Sequence, residues 1–146
     1  MANTDNHTIK LQVSTYSPVV ELMATATIKT GMLLKQEAND TVIPHVDILG
    51  PGQALFAVEN ELGGKDIDTD YTSGQRVMCR VARPGDVVLC WLATNQDVTV
   101  GDYLASAGGG YLRQNAVLYD PIFGIALEAL ITTPALPPAR IRVRIV

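Results

Sequence analysis

The fold class follows from residues 140–146, Arg-Ile-Arg-Val-Arg-Ile-Val, in which arginine alternates with apolar β-branched residues. Successive side chains of a β-strand point to opposite faces of the sheet, so the guanidinium groups share one face and the apolar side chains share the other. We predict that this segment is a strand whose apolar face belongs to the core. Arg140, Arg142 and Arg144 are then candidates for contacts with another subunit.

The remaining chain has the same character, with short apolar runs rich in Val, Ile, Leu, Thr and Tyr that glycine and proline interrupt. Such a pattern is typical of strands joined by tight turns and leaves little room for helices. The predicted strands span residues 21–28, 31–36, 53–59, 75–82, 86–93, 98–105, 110–113, 122–130 and 139–146, with one helical turn near 116–120. Many short strands joined in this way predict an all-β fold, a small barrel or sandwich.

A turn that contains glycine and leads into an apolar strand occurs three times. Glycine supplies the positive φ that such turns require. The turns lie at 29–34, 83–89 and 99–104, with glycine at Gly31, Gly85 and Gly101. Because the spacings between these glycines are unequal, we expect no tandem repeat.

Composition limits the classes of function that are open to the chain. Of its 146 residues, 47% are hydrophobic and 18% are charged, which excludes a disordered tail. With a net charge of −4, the chain is not expected to have the positive surface that binding to a nucleic-acid backbone requires. No uncharged apolar run is long enough to cross a bilayer. We therefore expect no nucleic-acid partner and no membrane partner.

The N-terminal residues lack the basic and apolar regions of a signal peptide, so we expect the protein to stay in the cytoplasm where it is made. Cys79 and Cys90 both lie in apolar runs. Thiols in a reducing compartment are typically unpaired, and free cysteine is among the most buried residue types. We predict two buried, free cysteines.

Residues 1–20 differ from the rest because they are polar and rich in Ser and Thr. We predict an extended N-terminal arm over 1–20 and a single β domain over 21–146. Ile9, Leu11 and Val13 alternate as a strand would, which suits addition to an exposed sheet edge of a partner. The alternative is an edge strand of the chain's own sheet.

The acidic alternation at 66–70 is similar to the start of a calcium loop, in which Asp occupies positions 1, 3 and 5. Position 6 is Tyr71 in place of glycine, and position 12 is Val77 in place of the closing glutamate. We therefore expect an exposed acidic loop and no calcium site.

The other chemistry-bearing residues form no catalytic motif. His7 and His45 are far apart in the sequence, and no serine lies in a nucleophile elbow. The glycine run 108–110 continues as a strand and does not open a phosphate-binding helix. Trp91 lies between apolar neighbours and is expected in the core. We expect a protein that is not an enzyme and uses no metal or cofactor.

A polar arm, a small all-β domain rich in Ala, Gly, Thr and Val, and the lack of catalytic motifs together resemble a known family. The passages that carry the likeness are residues 25–31, 53–58, 123–127 and 140–146. They resemble the head decoration, or cement, proteins of tailed bacteriophages, the family that includes the lambda decoration protein.

The resemblance implies a fold, a partner and a location. It implies a β-tulip-like domain behind a flexible arm, assembled as a homotrimer on the major capsid protein. Such a trimer binds the outer surface of the phage head and stabilises the shell, so the chain is made in the cytoplasm of the bacterial host and ends in the virion. The arm residues that would contact the capsid are Ile9, Lys10, Leu11, Gln12, Val13 and Tyr16.

Four other interpretations remain: another virion or assembly β-protein, a biotinyl- or lipoyl-type carrier barrel, a ligand-binding barrel, and an enzyme. A carrier barrel needs a hairpin lysine that bears the cofactor. The only lysines are Lys10, Lys29, Lys35 and Lys65, and none lies in a carrier context between the two later turns. An enzyme or sugar-binding barrel built from scattered residues would leave no motif in the sequence.

Overall fold

The computed structural model describes residues 8–12, 18–47, 52–115, 120–136 and 138–146, and within them the chain is all-β apart from one 3-10 turn at Glu61–Gly63. The first strands are β1 (Lys10–Gln12), β2 (Val19–Ala24), β3 (Leu33–Gln36), β4 (Thr41–Pro44), β5 (Leu55–Ala57) and β6 (Arg76–Val81). The later strands are β7 (Val87–Leu92), β8 (Gln96–Val98), β9 (Tyr103–Gly108), β10 (Tyr111–Gln114), β11 (Ile122–Ala126), β12 (Leu130–Thr132) and β13 (Ala139–Ile145). The all-β prediction is confirmed.

Strands β2 to β6 form the first barrel, which is closed in the order β2-β4-β3-β5-β6. Only the β2–β4 pairing is parallel, and the other pairings are antiparallel. Alternate side chains point inward, so Leu22, Leu34, Leu55 and Val77 share one buried cluster. Tyr71 closes this cluster, and its hydroxyl donates to the carbonyl oxygen of Val58 at 2.8 Å.

The second barrel is built from β7, β9, β10, β11 and β13. These strands follow the order β7-β10-β9-β11-β13, and an additional β7–β13 pairing joins the two ends of that order into a ring. Strand β1 pairs antiparallel with β7 as an extra strand, and β8 pairs with β12 in a separate ribbon. The interior contains Leu92, Leu104, Leu112, Ile141 and Val143, all buried.

The two barrels have the same topology. In each, the first strand pairs parallel with the third, the third pairs with the second, the second with the fourth, the fourth with the fifth, and the fifth with the first. Only the first pairing is parallel in either barrel. The chain is therefore a tandem repeat of one five-stranded barrel.

The repeat extends to single hydrogen bonds. The amide of Gly31 donates to the carbonyl of Ala57 at 2.8 Å, and the amide of Gly101 donates to the carbonyl of Ala126 at 2.9 Å. Both glycines have positive φ, 90° and 96°. The cross-strand pair Leu33–Phe56 of the first barrel corresponds to Tyr103–Ile125 of the second. Position by position, one barrel can therefore be superposed on the other in register.

The expectation of no tandem repeat is wrong, and the reason lies in Gly85. This glycine lies between β6 and β7, in the link between the barrels, so it is not an equivalent of Gly31 or Gly101. Comparing all three glycine turns concealed the correspondence between the first and the third.

Strands are found in the predicted segments, with three differences. Strand β4 was not predicted because its segment ends in Pro44 and follows a polar stretch. Asn39 and Asp40 both have positive φ, 60° and 57°, as a tight hairpin turn between antiparallel strands requires. The predicted strand 98–105 is interrupted by the Gly101 turn, and 122–130 is divided between β11 and β12. Residues 116–119 of the predicted helical turn near 116–120 lie outside the described residues.

The predicted boundary between arm and domain, after residue 20, falls inside strand β2, which begins at Val19. Strand β1, within the predicted arm, belongs to the sheet of the second barrel. The apolar face of 139–146 is in the core as predicted, since Ile141, Val143 and Ile145 are buried. Both cysteines are buried free thiols.

We predict that Val143→Asp lowers the free energy of unfolding by several kcal/mol, because it buries a carboxylate without a partner in the second barrel. Leu62→Asp is the matched control, since Leu62 is fully exposed in the 3-10 turn. Urea unfolding of both variants measures the difference. Equal losses in the two variants would contradict the assignment of the strand faces.

Candidate functional site at the junction of the barrels

The first barrel packs on the second through one outward face. This junction face consists of Thr30, Leu33, Phe56, Val58 and Ala82, each of which is buried. The four apolar residues belong to the same buried cluster as the interior of the second barrel. The junction is therefore a continuous apolar core between the repeats and not a flexible link.

The polar centre of the junction is the Thr30 carbonyl. Trp91 on β7 donates its indole N–H to this oxygen at 2.7 Å, and Arg140 on β13 donates Nε–H to it at 3.1 Å. Arg140 also donates from Nη2 to Thr30 Oγ1 at 3.0 Å and to the carbonyl of Ile67. Its guanidinium carbon lies 4.6 Å from the centre of the Trp91 ring, which adds a cation–π contact.

Gly31 allows this approach of the two barrels. A β-carbon at this position would lie 2.8 Å from the carbonyl oxygen of Leu89 and 3.4 Å from Nε of Arg140. Any side chain would therefore separate the Gly31 turn from β7. At the equivalent Gly101 of the second barrel, no atom lies within 4 Å of the same point.

The acidic loop at 66–70 supports the junction from outside. Asp68 forms an ion pair with Nη1 of Arg140 at 3.1 Å. Asp66 Oδ1 accepts from the amide of Asp68 at 3.0 Å and from the hydroxyl of Thr69 at 2.6 Å, and these bonds lower the pKa of Asp66. The loop thus has a structural role, and its failure to bind calcium stays a prediction.

A second polar contact joins the barrels at His45. Its Nδ1 lies 3.0 Å from the hydroxyl of Ser106 in β9, and its backbone carbonyl accepts from the amide of Gly110 at 3.0 Å. The ring packs edge-on against Phe123 with centroids 5.6 Å apart. Burial lowers the pKa of His45, while the charges of Asp47 and Lys35 act in opposite directions.

Within the part of the chain that the structure describes, the equivalent face of the second barrel is largely exposed. This open face consists of Val100, Tyr103, Ile125, Leu127 and Val146, which occupy the positions of the five junction-face residues. Val100 is 66% exposed, Tyr103 53% and Val146 48%, whereas their counterparts Thr30, Leu33 and Ala82 are 1%, 0% and 7% exposed. Sequence reasoning missed this face because it becomes apparent only when the repeat is aligned.

The three arginines of β13 have different roles. Arg140 is engaged within the chain, where barrel-to-barrel packing covers its end of the strand, and its contact with another subunit stays a prediction. Arg142 places Nε 3.6 Å from Glu128, and its backbone amide donates to the same carboxylate at 2.7 Å. Arg144 is exposed at the edge of the open face.

The predicted arm contacts are placed in part. Ile9 is buried in the chain's own core, its amide donates to Glu59 at 3.0 Å, and its carbonyl accepts from Leu89. The Ile9 side chain is thus engaged within the chain, and its contact with a capsid stays a prediction. Lys10, Leu11 and Gln12 form β1, an edge strand on β7, as the alternative interpretation had it. Val13 and Tyr16 lie outside the described residues.

The two cysteine thiols are buried. Burial raises the pKa of Cys79 to about 12 and raises the pKa of Cys90 still further, which keeps both thiols protonated. Among the described residues, no group of three or more His, Cys, Asp or Glu side chains is arranged to hold a metal ion. The same part of the chain contains no helix long and apolar enough to span a membrane.

Comparison with known proteins gives a structural relationship and no sequence relationship. No protein-family model matches the chain, and no curated protein matches it. The fold is similar to the crystal structure of the N base of head fiber gp8.5 in bacteriophage phi29, with a TM-score of 0.61 and 13% sequence identity. The match covers 90% of this chain and 95% of that chain. At this identity the likeness shows a shared fold.

We predict that Arg140→Lys lowers the free energy of unfolding by about 1–3 kcal/mol, because an ammonium group cannot make the forked bonds to Thr30 and Ile67. Arg142→Lys on the same strand is the control and should change stability by less than about 0.5 kcal/mol, since its side chain is half exposed. Urea unfolding at neutral pH measures both. Equal small effects would exclude Arg140 as the centre of the junction.

We predict that stability falls as the pH drops below the ordinary His45 pKa of 6.5. The folded state disfavours protonation of His45, so the unfolded state binds more protons at this residue as the pH falls. The contribution of neutral His45 to the free energy of unfolding is therefore fully present only above that pH. The urea midpoint of the wild-type protein should decline between about pH 7 and about pH 5, and His45→Gln should remove most of this decline. An unchanged decline in the variant would assign it to other groups.

Proposed function

We propose that this chain is a structural protein of a phage virion that binds the outer surface of the head as a homotrimer and stabilises the shell. The observation that carries the proposal is the match of nearly the whole tandem-barrel fold to the base of a phage head fiber. The sequence-level resemblance to head decoration proteins supports the same assignment independently. The proposed partner is the major capsid protein.

The mechanism requires contact surfaces and no chemical step. A shell under outward pressure from packaged DNA is strengthened when a protein bridges neighbouring capsid subunits, because separating them must also break the bridge. Once one subunit of a trimer is attached, the second and third attachments are effectively intramolecular. Modest contacts per subunit then sum to durable binding. A rigid apolar junction between the two barrels suits a protein that transmits load.

The contacts proposed for the shell lie at and near β1. This strand is the outermost member of the described sheet, with β7 on one side. Its other edge is positioned to pair with an extended segment of a capsid subunit by strand addition. Lys10, Leu11 and Gln12 in β1, together with Val13 and Tyr16, remain the proposed capsid contacts.

The contacts of three lysines argue against the carrier-barrel alternative. Lys29 lies 5.4 Å from the centre of the Trp91 ring, Lys35 pairs with Asp47 at 2.8 Å, and Lys65 donates to the carbonyl of Asp70 at 3.0 Å. A lysine that bears a swinging cofactor has to project freely from a hairpin. The proposal accordingly assigns the chain no cofactor and no catalytic activity.

We predict that the purified full-length protein binds saturably to expanded heads of the phage that encodes it, prepared without this protein. Binding should raise the temperature at which the heads release DNA. Val13→Pro, which removes a backbone donor next to β1, should weaken binding several-fold without lowering the melting temperature of the protein itself. Leu62→Pro in the exposed 3-10 turn is the matched control and should bind as the wild type does.

Failure of the full-length protein to sediment with expanded heads at any concentration would contradict the proposal. Equal binding by Val13→Pro and the wild type would remove the region around β1 from the mechanism and move the shell contact to another surface.

A further inference from the structure

We propose that the open face of the second barrel binds the first barrel of a second copy, which repeats between chains the contact that joins the barrels within a chain. This inference names the surfaces of the proposed homotrimer and so rests on that part of the proposed function. It does not depend on binding to a shell.

The first argument is the apolar character of the open face. In the first barrel, the face with Leu33 and Phe56 is covered by the second barrel and is completely buried. In the second barrel, Tyr103 and Ile125 occupy the same register, and Tyr103 is mostly exposed. The two barrels of the chain thus present the same apolar face, and the described residues cover only one of these faces. Contiguous exposed apolar surface of this kind marks sites of protein association.

The second argument is that the complementary surface is also present twice. Within the chain, the junction face contacts the receiving side of the second barrel, which consists of Leu89, Trp91 and Arg140. Trp91 and Arg140 are directly opposite each other in the β7–β13 pairing. The same positions of the β2–β6 pairing are Met23 and Arg76, which are both exposed.

One polar contact of the junction, the bond from arginine to a carbonyl, can be reproduced across this surface, whereas Met23 and Val100 lack the polar groups of Trp91 and Thr30. Arg140 reaches the Thr30 carbonyl at the junction, and the equivalent pair across two chains is Arg76 and the carbonyl of Val100. Both barrels have arginine at the donor position, Arg76 and Arg140, and glycine in the turn after the acceptor carbonyl, Gly31 and Gly101.

Charge also favours a second copy. At the junction, Arg80 and Val88 line the same small cavity. On the receiving side of the first barrel, the exposed Glu21 occupies the position that Leu89 has in the second barrel, and the open face carries the exposed Arg144 at the position of Arg80. The two surfaces therefore carry side chains of opposite charge.

The geometry of the contact is head to tail, because the open face belongs to the second barrel and its receiving side to the first. A contact of this type joins two different surfaces, and it generates a ring when the rotation closes. A homotrimer is one such ring. The intrachain junction supplies the approximate rotation from one barrel to the next.

The test uses the full chain and three arginine substitutions. Tyr103→Arg blocks the open face, Met23→Arg blocks the receiving side of the first barrel, and Leu62→Arg is the control at an exposed apolar position outside both. Light scattering after size exclusion gives the mass of each. We expect the wild type and Leu62→Arg to be oligomers, and the two blocked variants to be monomers with an unchanged melting temperature.

Mixing the two monomeric variants separates this geometry from others. Tyr103→Arg retains an intact receiving side and Met23→Arg retains an intact open face, so the mixture should form a heterodimer that cannot grow or close. A mixture that stays monomeric, or a Met23→Arg protein that still assembles alone, would overturn the head-to-tail contact. If a blocked variant unfolds, Val100→Asp and Glu21→Arg test the same two surfaces at other exposed positions.

The result also distinguishes this inference from the wider proposal. A wild-type protein that is a monomer at all concentrations would overturn both the contact and the homotrimer. A wild-type oligomer that dissociates in the variants but binds no phage head would uphold the contact and contradict the shell function.

Discussion

The structure depends on the close approach of the Gly31 turn to the Trp91–Arg140 pair. The Thr30 carbonyl accepts from the indole and from the guanidinium at once, and the missing side chain at Gly31 lets the backbone come near enough for both bonds. Around this polar centre the junction face is fully apolar. Two barrels that would otherwise be linked only by the loop before β7 therefore share one core.

Burial of the junction explains why equivalent residues behave differently in the two repeats. Leu33 and Tyr103 occupy the same register position, yet one is inaccessible and the other is mostly exposed. Arg140 and Arg76 differ in the same way. The repeat therefore separates residues that build the barrel, which match in burial, from residues that join barrels, which do not. This comparison identifies the exposed face that we propose as an interaction surface.

Much of the fold could be predicted from the sequence because strand periodicity and glycine turns are local signals. The alternation at 140–146 correctly identified the core face of β13, and the apolar runs located most of the strands. Strand β4 was not predicted because its apolar content is low, although Asn39-Asp40 is a turn signal that could have indicated the hairpin. The tandem repeat could also have been found, since Phe56-Ala57-Val58-Glu59 and Ile125-Ala126-Leu127-Glu128 have the same pattern.

The site was less accessible to sequence reasoning because it depends on contacts between distant segments. Arg140, Arg142 and Arg144 are indistinguishable in the local pattern, and only packing of the first barrel on one end of β13 separates them. Ile9 was interpreted as part of an arm because its neighbours are polar, whereas its side chain fills a space next to Gly31 that no local pattern indicates.

We propose that the tandem barrels form a head-to-tail ring on the outside of a phage head. A cryo-electron microscopy reconstruction of a mature phage head that contains this chain tests the proposal most directly. The account predicts density for both barrels on the outer surface, with the Tyr103 face of each copy covered by the Met23 side of the next. A head without this density, or one in which the Tyr103 face is in solvent, would contradict it.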